Sequence, residues 1–180
     1  MNKKNKIIIG LLLIAVILFS AIQFWILPTE RAKQVEYARN QTDALTNDIS
    51  EVENYKSPYI GNSSNIINLF GTLPLNNLPM KFEINSDDCS LSVNYSDSIG
   101  IVGEEKVKQD LIYNSVAAMA AVDNLSQITY NFSDNSYSFD RQQIENILGS
   151  PLSGLLDKKI WNKQVQSKLS AVEFVNQFFE

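Results

Sequence analysis

Hydrophobic positions divide the chain into three patterns. From Ile7 to Leu27 the sequence IIIGLLLIAVILFSAIQFWIL is continuously apolar, with no charge and with Gln23 as its one strongly polar residue. At 1.5 Å of rise per residue, such a run makes a helix about 30 Å long, the thickness of a bilayer's hydrocarbon core. The second pattern runs to about Asn54, and no Gly interrupts it. Ala38, Thr42, Leu45, Ile49 and Val52 recur there at alternating four- and three-residue steps. That spacing predicts a polar stalk helix over 28–54 with a thin apolar seam. Thr29 is a candidate cap at its start. The seam either rests on the chain's own domain or forms a short dimerising coiled coil.

From Tyr55 onward the apolar residues switch between helical and strand periods. Pro58 pushes Ser57 toward extended backbone, and Gly61 offers a positive-φ turn. Asn62 or Ser63 then caps a short helix carrying Ile66, Ile67, Leu69 and Phe70. Met80, Phe82 and Ile84 alternate with Lys81 and Glu83, and Leu91, Val93 and Tyr95 with Ser92 and Asn94. With turn-forming residues 85–88 between them, these read as a hairpin with one apolar face. Glu104 to Asp123 is a helix striped by Val107, Leu111, Ala118, Met119 and Val122. Ile128, Tyr130 and Phe132, followed by Tyr137 and Phe139, make a second hairpin. Asp140 caps the next helix, with Gln143 in capping-box position and Gly149 at its end. Helix is expected again over 157–169. Ser170 to Glu173 is a capping box before a last helix whose Phe178 and Phe179 either dock or form an apolar patch. Helix–strand–strand thus occurs twice, followed by a closing helix. The predicted body, residues 55–180, is α+β: an antiparallel four-stranded sheet of two hairpins with helices on one face.

Charge supplies the orientation. Lys3, Lys4 and Lys6 precede the apolar run, which predicts a cytoplasmic tail over 1–6, a membrane anchor over 7–27 and an extracytoplasmic body. The lipid bilayer is therefore the expected partner of Ile7 to Leu27, with Trp25 at the outer interface. A cleaved signal peptide is the competing reading. Its apolar region would be shorter and would end in a small-x-small site, whereas here Leu18 and Phe19 precede the small pair Ser20-Ala21. Residues 1–33 hold five of the 15 Lys and Arg and one of the 20 Asp and Glu, so the remainder carries a net charge of −9. An acidic body is a poor partner for nucleic acid.

The chain has no His and one Cys. Ser-His-Asp and Cys-His nucleophiles, His-ligated zinc and CxxC redox chemistry are therefore absent. No phosphate-binding glycine motif is present, and Asp87-Asp88 lacks the spaced oxygens of a calcium loop. No cofactor, metal or catalytic residue is expected, and Cys89 reads as a small buried residue. Two enzymatic routes survive: a carboxylate pair acting on cell-wall glycosides, and a Ser–Lys pair cleaving amides, for which no SxxK motif is present and Ser167-Lys168 is merely adjacent.

YKSPYIGNSSNI, the helix after it, Leu-Pro and the first two strands resemble the opening of a Gram-positive bacterial family known only as a domain of unknown function. The resemblance, carried by the YxxPYIGN stretch, runs from about Ile49 to Lys168. It implies an exported, often membrane-anchored module. The same domain is also fused to membrane-embedded metallopeptidases of the antibiotic-sensor type, which implies a regulatory role and no catalytic residues. Function is thus expected to be contact recognition of a membrane or envelope partner. Tyr55, Pro58, Tyr59 and Asn62 are the candidate partner-binding residues, although the two tyrosines also suit packing at the core's edge. A structural, oligomerising role through the stalk seam is the third expectation, and the oligomeric state stays open.

Overall fold

The computed structural model describes residues 2–179 and divides into two units, 1–39 and 40–180. Met1 and Glu180, the outer ends of the expected tail and body, lie outside the described residues. In the first unit, α1 (Lys3–Ala21) passes through a π turn (Ile22–Ile26) into α2 (Leu27–Asn40). Together they form one helix long and apolar enough to cross a membrane. Pro28 explains the π turn. It has no N–H to donate and its ring crowds the carbonyl four residues back, so the helix widens just before it. Thr29 is not a cap. Its Oγ1 donates to the Trp25 carbonyl at 2.6 Å, one turn back within the continuing helix.

The expected stalk helix ends at Asn40, well short of Asn54. Residues 41–46 are turns, 47 and 48 are irregular, and a 3₁₀ turn (Ile49–Tyr55) follows. Ala44, Ile49 and Val52 are buried, while Leu45 is 43 % exposed. The repeating spacing is thus no helical seam, because these apolar residues enter the body's core from irregular backbone.

The body holds α3 (Ser63–Gly71), β1 (Met80–Asn85), β2 (Ser90–Tyr95), α4 (Ile99–Val102) and α5 (Glu104–Ala121). After these come β3 (Gln127–Asn131), β4 (Ser136–Asp140), α6 (Arg141–Leu148), α7 (Lys158–Gln164), a 3₁₀ turn (Gln166–Lys168) and α8 (Val172–Asn176). The four strands lie in the order β1-β2-β3-β4. Both hairpins form as expected, but the sheet is mixed: β2 and β3 pair in parallel, with Val93 opposite Tyr130. The reason is the length of the connection. At 18 residues, α5 is about 27 Å long, enough to recross a strand of five or six residues. The chain therefore returns to the end where β2 began, and the next strand runs alongside it.

One sheet face is apolar. Leu91, Val93, Ile128, Tyr130 and Phe139 join a single cluster with Phe70, Leu111, Met119, Ile144 and Trp161 from the helices. The other face is amide and hydroxyl. Asn131 donates to Asn94 at 2.8 Å, Asn94 to Glu83 at 3.1 Å, and Thr129 meets Ser138 at 3.2 Å. The two C-terminal phenylalanines dock. Phe178 is buried, and Phe179 meets the rings of Tyr137 and Phe139 edge-on at 5.3 and 5.5 Å. Ser170 caps nothing. Its hydroxyl donates to the Ser167 carbonyl, and the N-cap of α8 is Ala171, which offers no side-chain cap.

Candidate functional site

The loop from Tyr55 to Asn62 is built from residues with separate tasks. Ser57 is stitched to the end of α5: its N–H donates to Ala121 at 2.8 Å, and its carbonyl accepts from Asp123 at 3.0 Å. The Ser57 hydroxyl donates to the Tyr59 carbonyl at 2.9 Å, which closes the loop locally. Ile60 is fully buried, and its N–H is satisfied by Asn124 Oδ1 at 2.8 Å. Asn62 caps α3 by accepting from the Asn65 N–H, and Asn65 in turn donates to the Tyr55 carbonyl at 2.8 Å. Gly61 does not take the expected positive φ. It abuts the β1–β2 turn instead, where a Cβ would lie 3.6 Å from the Ser86 hydroxyl.

Of the four candidate residues, Tyr55 therefore packs against the core and Asn62 is occupied as a cap. Pro58 and Tyr59 are presented outward, and Tyr59 is 70 % exposed. A large aromatic ring held on a loop pinned at both ends is a pre-ordered contact, because little conformational freedom remains to be lost when it is covered.

A second polar constellation lies inside the body, around α5. Asp110 is completely buried. Its carboxylate accepts from the Ala44 N–H at 2.8 Å and from Lys106 Nζ at 2.7 Å. Lys106 also reaches the Thr42 carbonyl at 3.1 Å and Asp43 at 3.3 Å. Burial raises the Asp110 carboxyl to about 6 even though Lys106 opposes the shift. One turn on, the Tyr113 hydroxyl donates to Asn47 Oδ1 at 2.8 Å, and Asn47 Nδ2 donates to the Gln41 and Thr72 carbonyls. Gln166, from the far end of the chain, donates to the Ala44 and Asn47 carbonyls at 2.9 Å each. Residues 41–48 thus form a collar clamped to α5 by buried hydrogen bonds, each costly to leave unmade.

The other end of α5 is held by Arg141. Its guanidinium donates to the Met119, Val122 and Leu125 carbonyls at 2.6, 2.8 and 2.9 Å. These carbonyls lie at the negative end of the helix dipole, where a planar fork of donors fits best. Half-burial lowers the Arg141 pKa.

Neither Asp110 nor Arg141 stands out in the sequence. A visible signal for Asp110 is its place beside Leu111, within a stripe that ends in Ala117 to Ala121 and with Lys106 four residues earlier. Arg141 follows the cap Asp140 and reads as an ordinary first-turn residue. Cys89, expected to be buried, is half-buried at a φ of 51°, and its Sγ accepts from Asn124 Nδ2 at 3.4 Å. Among the described residues no cluster of His, Cys, Asp or Glu could hold a metal ion.

From residue 52 to residue 143 the chain matches the family described as a domain of unknown function, DUF4825. It belongs to that family. The DUF4825 match begins in the 3₁₀ turn before the Tyr59 loop and ends in α6. It therefore takes in the whole sheet, α3 and α5, and leaves the collar and the C-terminal helices outside. No curated protein and no solved structure matches the chain.

Proposed function

We propose that the chain is a single-pass membrane protein. It displays its DUF4825 body outside the cytoplasm as a binding or regulatory module that acts by contact with a membrane or envelope partner. The observation that carries this reading is α1: its most apolar stretch is entirely unburied, which gives it no protein core to join. Lys3, Lys4 and Lys6, followed by uncharged sequence as far as Glu30, support a cytoplasmic N-terminus. The resemblance to exported Gram-positive modules, some fused to sensor-type metallopeptidases, supports a regulatory role. A tether confines the body near membrane-bound partners and raises its effective concentration for them.

Pro58 and Tyr59 form the contact surface on this reading. Asp110, whose carboxyl burial raises to about 6, is sealed from solvent and is out of reach of a glycoside. The test uses the full-length chain in its native membrane with a photo-crosslinker in place of Tyr59. A discrete adduct that disappears in competition with the unlabelled chain, but not with the Tyr59→Ala chain, is the expected result. Identical competition by both chains removes this surface from the account.

A further inference from the structure

The free edge of β1 is unlike the free edge of β4. The Ser96 N–H donates to the Pro79 carbonyl at 3.2 Å, which sets the alternation along the β1–β2 ladder. With that phase, Lys81, Glu83 and Asn85 direct their backbone groups to β2, whereas Met80, Phe82 and Ile84 direct theirs outward. The side chains of those same three residues lie on the apolar face. Beside them runs an open groove of about 600 Å³ lined by Ser63, Ile67, Met80, Lys81, Phe82 and Ile84, with Ile67 54 % exposed. On β4 the same accounting leaves Ser136, Ser138 and Asp140 outward. That edge combines unpaired backbone with polar side chains, and its last residue is occupied in capping α6.

We propose that β1 pairs with β1 of a second copy of this chain, antiparallel about a two-fold axis at Phe82. Charge complementarity selects this partner. The sequence Met80-Lys81-Phe82-Glu83-Ile84 is self-complementary around its centre. With Phe82 opposite Phe82, each Lys81 lies opposite the other copy's Glu83. Both charges are exposed, and both sit in a narrow, non-hydrogen-bonded pair where side chains approach most closely. Met80 lies opposite Ile84 on the apolar face, above the groove beside Ile67. The outward backbone groups of residues 80, 82 and 84 meet in phase and supply about six hydrogen bonds.

Neighbouring registers fail. A dyad at Lys81 sets lysine against lysine, and a dyad at Glu83 sets carboxylate against carboxylate. Like charges directly opposed are destabilising, so the edge selects one register. A foreign extended segment would need its own complementary alternation, whereas a second copy already carries it. The area covered by one short strand is small, and confinement to one membrane compensates for it. This pairing goes beyond the proposed partner contact and makes no use of Pro58 or Tyr59.

The test mixes light and isotope-labelled full-length chains in one membrane and treats them with a carbodiimide, which joins an amine directly to a carboxylate. The expected product is a mixed-isotope Lys81–Glu83 peptide and a crosslinked dimer. Counted by single-molecule photobleaching in the same membrane, a readout that needs neither side chain, Lys81→Glu alone and Glu83→Lys alone each reduce the dimer roughly tenfold, because every opposed charge pair becomes like-signed. Co-expressing the two variants restores a mixed dimer, which also shows that both variants fold. Absence of the mixed-isotope peptide from the wild-type chain overturns the proposal. So does a dimer that either single variant leaves unchanged, or an adduct of this edge with a different protein.

Discussion

α1 and α5 are nearly the same length, 19 and 18 residues, and each is placed against its composition. From Ile7 onward α1 is almost wholly apolar, yet Leu11, Leu13 and Ile17 stand 59–65 % exposed. α5 includes Glu104, Lys106, Lys108, Gln109, Asp110 and Asn114, yet every residue from Asp110 to Ala121 is buried. A helix that is hydrophobic all round and lacks a protein partner needs lipid as its solvent. A polar helix can occupy a core when most of its buried polar groups are answered, and on α5 Asn114 Oδ1 is left without a partner. The collar answers Asp110 and Tyr113, and the Pro74 carbonyl accepts from Asn114 at 2.8 Å. Burial is therefore decided by what surrounds a helix as much as by its own residues.

The largest way to break this contrast is to make α1 polar. Leu12→Arg combined with Val16→Arg places two charges in the middle of the apolar run, each costing about 2.5–3.5 kcal/mol at a helix centre. The double variant is expected to leave the membrane fraction in alkaline extraction, whereas Leu12→Ile with Val16→Leu stays. A double-arginine chain that remains membrane-integral contradicts the lipid reading of α1.

The next test concerns how α5 tolerates its buried acid. Asp110 has a folded pKa of about 6 against 3.8 for the free side chain. Between those values the folded state holds the proton and the unfolded state has lost it, so stability rises as pH falls from about 7 to about 4. The full span is about 3 kcal/mol, because each tenfold difference in proton affinity between the two states is worth about 1.4 kcal/mol. Urea titrations in that window should show the wild-type gain, and Asp110→Asn should remove it, its single amide oxygen keeping an acceptor for the Ala44 N–H while the one that meets Lys106 is lost. The difference between the two chains isolates this carboxyl from others that titrate in the same range.

A smaller effect sharpens the comparison at a single residue type. Ala118 has no accessible surface, so Ala118→Leu must displace packed neighbours at a cost of about 1–3 kcal/mol. Ala15, exposed on α1, has room, and Ala15→Leu should change neither the body's melting temperature nor membrane retention. Equal destabilisation by both substitutions would mean that α1 is packed against protein after all.

Local features of the fold are legible in the sequence, and non-local ones are not. The caps at Asn62 and Asp140, the left-handed Gly149 and both hairpins follow from neighbouring residues and appear where periodicity places them. The parallel β2–β3 pairing does not follow locally. It depends on where α5 delivers the chain, and two hairpins in sequence are equally compatible with either direction. The collar fails for the opposite reason. Its four- and three-residue steps imitate a helical seam, but Ala44, Ile49 and Val52 are buried from turns held by side chains of α5 that are distant in sequence. At the candidate site, Tyr59 is recognisable as exposed only once Ser57, Ile60 and Asn62 are seen to be occupied in holding the loop. The Lys81–Glu83 alternation is visible in the sequence, but its meaning depends on β1 being an edge.

A body that meets an envelope partner must lie across the membrane from Lys4. The direct measurement is cysteine labelling with a membrane-impermeant maleimide, in chains carrying Cys89→Ser and either Lys4→Cys or Ser153→Cys, both exposed positions. The predicted result is that the chain altered at Ser153 labels fully in intact cells, while the chain altered at Lys4 labels only after lysis. Labelling at Lys4 in intact cells with protection at Ser153 would contradict it.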